Sequence, residues 1–268
     1  MGQSPARSGA SWPVPLIVVV LVISAYLAFG RDDESSPSKK PSAAPVAQVD
    51  LKKLPLSSTK TTIKAAPKDP RPQGIPKGTV VHPKRVVALY DAPDGKPFAK
   101  IGPRQFGDTW LPVITRNRDW VQVLLPSKPN DSTGWLRSSE LAEAHSRFLI
   151  KVHLGDRSLE VYEDNDLVDA WPVAIGAEAT PTPTGRTFVL GQIIDDKQPF
   201  SPVILPLGSH SATLDSYGGG PGTVALHGWT NSSVFGKAVS HGCVRVPDEA
   251  LALLRTVPTG TPVIVDKA

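Results

Sequence analysis

The sequence predicts a mostly β protein, and three observations carry that prediction. Apolar runs of four to six residues alternate with turn signals through the middle of the chain. Beyond residue 147 apolar side chains fall at every second position, the period of a strand with one buried face. One stretch alone, Asp248 to Val257, carries a clear helix signature.

In chain order, residues 1–30 come first. They hold a single charge, Arg7, and Leu16 to Phe29 is almost wholly apolar. An apolar run near 20 residues can span a bilayer as a helix. The basic residue on its N-terminal side favours a cytoplasmic tail with the rest of the chain outside. Ala28-Phe29-Gly30 also resembles a signal-peptide cleavage site, but the run is long for a signal sequence, so an uncleaved membrane anchor is expected. Either outcome exports the chain and places it in the cell envelope or beyond. Residues 31–77 hold eight prolines, ten Lys/Arg against five Asp/Glu, and no Phe, Trp or Tyr. Such a composition buries too little apolar surface to fold alone and predicts a disordered, partly stiff stalk.

Residues 78–146 carry five short strand patterns: Val86 to Tyr90, Phe98 to Ile101, Thr109 to Ile114, Trp120 to Leu124 and Gly134 to Leu136. Asp91-Ala92-Pro93-Asp94-Gly95 is a turn between the first two. Five strands in under 70 residues predict a small β-barrel. The stretch resembles a bacterial SH3 domain in Leu89-Tyr90-Asp91, in Asp119-Trp120-Val121-Gln122-Val123 and in Gly134-Trp135-Leu136. That resemblance implies an SH3-like companion to a cell-wall enzyme, binding the wall polymer or its peptides. A spacer whose tryptophans are core residues is the alternative.

Residues 147–268 again read as β. Phe148, Ile150, Val152 and Leu154 alternate with Arg147, Leu149, Lys151 and His153. Leu159 to Tyr162 and Ala170 to Ile175 flank the turn Glu163-Asp164-Asn165-Asp166. Strands follow at Thr187 to Leu190, Ile193-Ile194, Thr223 to His227 and Pro262 to Val265. Pro247 suits a first helical turn, and Asp248 and Glu249 favour the positive end of the helix they open. Asp195 to Gly222, with its prolines and glycines, is expected to form a loop able to act as a lid.

The whole chain of 268 residues has a net charge of +4, but its four segments carry +1, +5, +2 and −4. The basic excess sits in the stalk and the C-terminal domain is acidic, which argues against nucleic acid as a partner. One cysteine excludes an internal disulfide and any multi-cysteine zinc site.

That cysteine lies in Ser240-His241-Gly242-Cys243-Val244-Arg245, sixteen positions after His227 and its neighbour Gly228. A lone cysteine is ordinarily a buried apolar residue. A thiol kept in an oxidising compartment beside a histidine and two glycines has a second reading. A histidine can serve as its base, a neighbouring glycine lets a carbonyl approach backbone amides, and Arg245 favours the thiolate.

The same residues carry a resemblance. His227-Gly228 with Ser240-His241-Gly242-Cys243-Val244-Arg245 looks like the signature of the L,D-transpeptidases with a YkuD-type catalytic domain. Thr182-Pro183-Thr184-Gly185-Arg186-Thr187-Phe188 resembles their Thr-Pro-Thr-Gly-x-Phe stretch with one extra residue, and Gly260-Thr261-Pro262-Val263 fits as well. The resemblance covers about 120 residues. It implies a β-sandwich-like catalytic domain with one or two short helices, acting on peptidoglycan stem peptides without metal or organic cofactor. It also implies roles. Cys243 is the nucleophile and His227 the general base, oriented by the main-chain carbonyl of Gly228. His241 is a secondary proton handler, and Gly242 lends an oxyanion-hole amide together with Cys243. Arg245 and Ser240 lie on the substrate side, Ser240 also holding the turn through hydrogen bonds. The implied chemistry is acyl transfer from a tetrapeptide stem through a thioester to an amine, giving 3→3 cross-links. A carboxypeptidase or an inactive wall-binding protein is the alternative.

Overall fold

The computed structural model describes residues 49–195, 197–216 and 220–268. The predicted anchor over residues 1–30, and residues 31–48 of the predicted stalk, lie outside the described residues. Among the described residues no helix is long and apolar enough to cross a membrane.

The first half is built on seven strands: β1 (Thr79–Pro83), β2 (Val87–Tyr90), β3 (Pro97–Ile101), β4 (Leu111–Asn117), β5 (Trp120–Leu124), β6 (Thr133–Arg137) and β7 (Leu141–His145). They form one antiparallel sheet in the order β3-β2-β6-β5-β4-β1-β7. The five predicted strands are β2 to β6. The prediction of a closed barrel is corrected: β3 and β7 are the two ends of the sheet order and do not pair with each other. The difference comes from β1 and β7, which sequence reading missed. Leu141-Ala142-Glu143-Ala144-His145 is made of good helix formers, yet all five residues pair with β1. Tertiary pairing has overridden local propensity there.

The second half comprises β8 (Phe148–His153), β9 (Ser158–Glu163), β10 (Asp166–Pro172), β11 (Ile175–Gly176), β12 (Gly185–Phe188), β13 (Ile193–Ile194), β14 (Val203–His210), β15 (Thr223–Gly228), β16 (Ala238–Ser240) and β17 (Val244–Val246). Helix α1 (Asp248–Leu254) and β18 (Pro262–Asp266) complete it. One five-stranded sheet runs β10-β9-β8-β18-β12, and a four-stranded sheet runs β13-β14-β15-β17. The β9–β10 hairpin turns at Asp164 (φ 51°) and Asn165 (φ 73°), the paired left-handed residues that a two-residue hairpin loop needs. Ile150, Val152, Leu159, Val161, Val263 and Val265 of the larger sheet share a core with Leu205, Leu207, Val224, Leu226, Val244 and Val246 of the smaller one. This is the two-layer arrangement expected of alternating strands. Leu251 and Leu254 of α1 close the same core.

Two sequence expectations fail here. Asp195 to Gly222 is not a loop throughout. Its middle is β14, whose last six residues are buried, because strands covered on both faces lose the alternation that would mark them. Nor does the disordered stalk extend to residue 77. Residues 49–77 run as a strap over both halves, making single-residue bridges from Leu56 to Lys100, Thr62 to Lys128 and Lys68 to Ser132. Ile63 enters the core of the first half. Asp69, itself buried, makes a bidentate salt bridge with buried Arg186 of β12, and Arg186 Nη1 also donates to the Gly74 carbonyl at 3.1 Å. The composition rule misjudged this segment because a strap needs no core of its own. A few side chains suffice when it lies on a surface that already exists.

The two halves are also interlocked. Phe188 and Leu190, which follow the Thr-Pro-Thr-Gly motif, are buried in the core of the first half rather than the second. Gly208 makes room for this, since a Cβ there would lie 2.4 Å from the Phe188 ring. At the end of β14 buried His210 donates from Nε2 to the Thr59 carbonyl at 2.9 Å. Asn130 holds its main chain on both sides, at 2.8 Å each. Burial pulls the pKa of His210 below the ordinary value near 6.5, the bond to Thr59 opposes this, and Lys128 adds to it. The unfolded chain therefore takes up a proton here that the folded chain refuses, and stability falls as pH drops below that ordinary value. His210→Gln should flatten the decline of melting temperature between neutral pH and about pH 5. Parallel curves for wild type and variant would count against this assignment.

Candidate active site

β15 and β17 run parallel, with Leu226 opposite Val244 and His227 opposite Arg245. This register brings together residues sixteen or more apart in sequence. Cys243, one residue ahead of β17, has its Sγ beside Ala225, whose main-chain N–H it meets. His227 is buried near the end of β15. Its Nδ1 lies 2.7 Å from the Gly228 carbonyl oxygen. A carbonyl only accepts, so Nδ1 carries the proton and Nε2 keeps a lone pair able to take another.

The cysteine turn is held from within. Ser240 Oγ donates to the Cys243 carbonyl at 2.5 Å and accepts from the Gly242 amide at 3.1 Å. Gly242 has φ 113°, a backbone state open to glycine and strained for other residues. Ser240 is only 2% exposed, and its hydroxyl is used inside the turn, the turn-holding role expected of it. The Gly242 amide, expected to face an oxyanion, is likewise engaged in the turn. His241 is exposed at the turn surface, unlike buried His227.

Arg245 lies with its guanidinium 3.6 Å from the ring centre of Trp229. Phe200 packs edge-on against the His227 ring at 5.2 Å and meets Trp229 at 5.8 Å. Burial lowers the pKa of His227; the Gly228 bond opposes this and Arg245 reinforces it. Burial raises the pKa of Cys243, against the smaller lowering effects of Ala225 and Arg245. Arg245 thus acts in the predicted direction, but desolvation outweighs it. Both shifts favour the neutral forms, a thiol and an imidazole.

Sequence reading missed the residues that hold this site from outside. Buried Ser201 accepts from the Gly228 amide at 2.8 Å and donates to the Val203 carbonyl at 2.5 Å, fixing the segment whose carbonyl orients His227. Ser201 sits in the stretch read as a lid, and no motif marks it. Thr180 Oγ1 donates to the Ser240 carbonyl at 3.0 Å, and Thr182 Oγ1 to the Gly242 carbonyl at 2.9 Å. Trp229 directly follows Gly228, a position that could have flagged it. Among the described residues no group of three or more His, Cys, Asp or Glu side chains is placed to hold a metal ion.

A model of the YkuD L,D-transpeptidase catalytic domain matches residues 147–265. The chain is 34% identical over 119 residues to YkuD of Bacillus licheniformis, which covers 44% of this chain and 65% of that protein. It is 30% identical over 168 residues to YkuD of Bacillus subtilis strain 168, covering 60% of this chain and 95% of that one. Both relatives bear the name L,D-transpeptidase provisionally. Among solved structures, the catalytic domain of an E. faecium L,D-transpeptidase is 24% identical, with a TM-score of 0.35, over 46% of this chain and 100% of that one.

Proposed function

Because the chain belongs to the YkuD family of L,D-transpeptidases, we propose that it cross-links peptidoglycan stem peptides by acyl transfer through Cys243. The observation that carries this reading is the pairing of β15 with β17. It sets a thiol, a histidine with a fixed tautomer and an arginine at the end of one small sheet.

In the first half-reaction Cys243 gives its proton to His227 Nε2 as Sγ attacks the carbonyl of the third stem residue. The carbonyl π pair moves to oxygen, which faces the Cys243 amide. The oxyanion then collapses and the bond to the terminal D-alanine breaks. The imidazolium returns its proton to the departing amine, leaving a thioester. In the second half-reaction the amine of another stem attacks the thioester and His227 takes its proton. The C–S bond breaks, and the thiolate regains a proton from the imidazolium. The product is a 3→3 cross-link. Water in place of the amine would give a shortened stem instead. One sulfur serves both halves, so no second thiol is required.

Arg245 stacks on Trp229 beside the site, and its charge suits the carboxylate of a donor peptide. The acidic balance of residues 147–268 suits a cationic diamino-acid acceptor. An anchor at residues 1–30 would hold the enzyme in the envelope. The strap and the interlocked cores make residues 47–268 one unit, so any contact of the SH3-like half with the wall would fix the distance of Cys243 from it.

Incubation with disaccharide-tetrapeptides, followed by mass spectrometry of the products, tests the reading. Cross-linked dimers that have lost one D-alanine are expected. Shortened monomers alone would mean a carboxypeptidase, and unchanged substrate would overturn the proposal.

A further inference from the structure

In the turn that carries the nucleophile, Ser240 holds the Gly242 amide and the Cys243 carbonyl but neither the carbonyl nor the amide of the peptide between them. At Gly242 a Cβ would find nothing closer than 3.7 Å, and φ 113° is a glycine conformation. Rotation of the 242–243 peptide would swing the Cys243 amide away from the oxyanion. That amide matters because the Gly242 amide is already bonded to Ser240.

One side chain outside the turn grips this peptide. Thr182 Oγ1 accepts from the Gly176 amide at 2.9 Å, which directs its single proton to the Gly242 carbonyl, also at 2.9 Å. Thr182 is 4% exposed, so water does not readily replace it. Its own place is set by β11. Gly176 pairs with Ser240 of β16, and the Thr180-Pro181-Thr182 segment folds so closely onto it that a Cβ would lie 2.3 Å from the Thr180 carbonyl. The Gly242–Cys243 bond is trans, and in a trans peptide the C=O and N–H point in opposite directions. A carbonyl pinned on the Thr182 side therefore aims the Cys243 N–H to the other side.

We propose that Thr182 is a positioning residue that fixes the oxyanion-stabilising amide of Cys243. The inference rests on Cys243 being the acylated nucleophile. It separates Thr182 from a general structural role, because only acyl transfer creates an oxyanion. Alkylation of the same sulfur by iodoacetamide displaces iodide with no carbonyl addition and needs no such amide.

The experiment compares the two reactions in the full chain, for wild type, Thr182→Val, Thr182→Ser and Thr180→Val. Acylation by a tetrapeptide stem is followed by single-turnover intact mass, and alkylation by iodoacetamide in parallel. Thr182→Val should slow acylation by roughly 10- to 100-fold, short of the loss of about 10²–10³ for removing an oxyanion donor outright. Its alkylation rate should be unchanged, and Thr182→Ser should restore acylation. Thr180→Val, which frees the Ser240 carbonyl instead, should keep the wild-type ratio of the two rates. Should valine disturb the loop, Thr182→Ala repeats the comparison without a bulky side chain. Parallel loss of both reactions, or acylation at the wild-type rate, would overturn the inference alone. Failure of the wild type to acylate would overturn the proposed function and this inference with it.

Discussion

Cys243→Ala should abolish the thioester adduct with a tetrapeptide stem and reduce turnover by a factor on the order of 10⁴–10⁶, the scale of removing a nucleophile from a base-assisted site. Intact mass after a single turnover reads the adduct directly, and an adduct that persists in the variant would place the nucleophile elsewhere. His227→Ala should come close to the same loss. Burial favours the neutral thiol, so removing Nε2 removes the acceptor to which the proposed mechanism gives its proton. His241→Ala should cost far less, since that side chain lies exposed at the turn surface. Equal losses at the two histidines would show that the base is assigned wrongly. Both effects should be seen in kcat, because neither side chain is needed to bind the distant parts of a stem peptide.

The second large effect concerns stability. Asp69→Ala should destabilise the folded chain by about 3–5 kcal/mol, the cost of leaving one partner of a buried ion pair uncompensated. Arg186 would keep its charge while losing two hydrogen bonds, retaining only the Gly74 carbonyl. Asp131 stands close enough to interact with both members of the pair, so the loss should fall toward the lower end of that range. Chemical denaturation of wild type and variant measures it. A difference within ~0.5 kcal/mol, the range of ordinary surface substitutions, would mean that the strap contributes little to the fold. The double variant Asp69→Leu with Arg186→Leu should recover much of the loss, since apolar replacement of both partners removes the unpaired charge.

The candidate catalytic residues stand out in the sequence because their chemistry is concentrated in short segments. Gly242 and Cys243 are adjacent, His227 carries Gly228 beside it, and a motif of this kind survives without knowledge of the fold. The roles of Ser201 and Thr182 were not legible. Their partners lie 27 and 60 positions away, and a hydroxyl bonded to a distant main-chain atom leaves no pattern in its own neighbourhood. Gly242 and Ser240 are a different case. The resemblance implied outward roles for both and a turn-holding role for Ser240; the structure shows the turn-holding one, a hydrogen bond from the Gly242 amide to Ser240 Oγ.

The strands that alternate, β8 and β9 above all, were readable because one face is buried and one is not. β14 was not, being covered on both sides over most of its length, and β7 was not, being written in helix formers. The sequence by itself determined the chemistry available: one thiol, its histidine and arginine, a glycine-bearing turn and a mostly β scaffold. The tertiary structure decided which of those groups work. Burial favours the neutral thiol of Cys243 against the pull of Arg245, and the neutral imidazole of His227 together with it, because desolvation depends on what packs around a charge. It also turned a proline- and lysine-rich segment into a clamp, since Asp69 gains its meaning from an arginine 117 residues away.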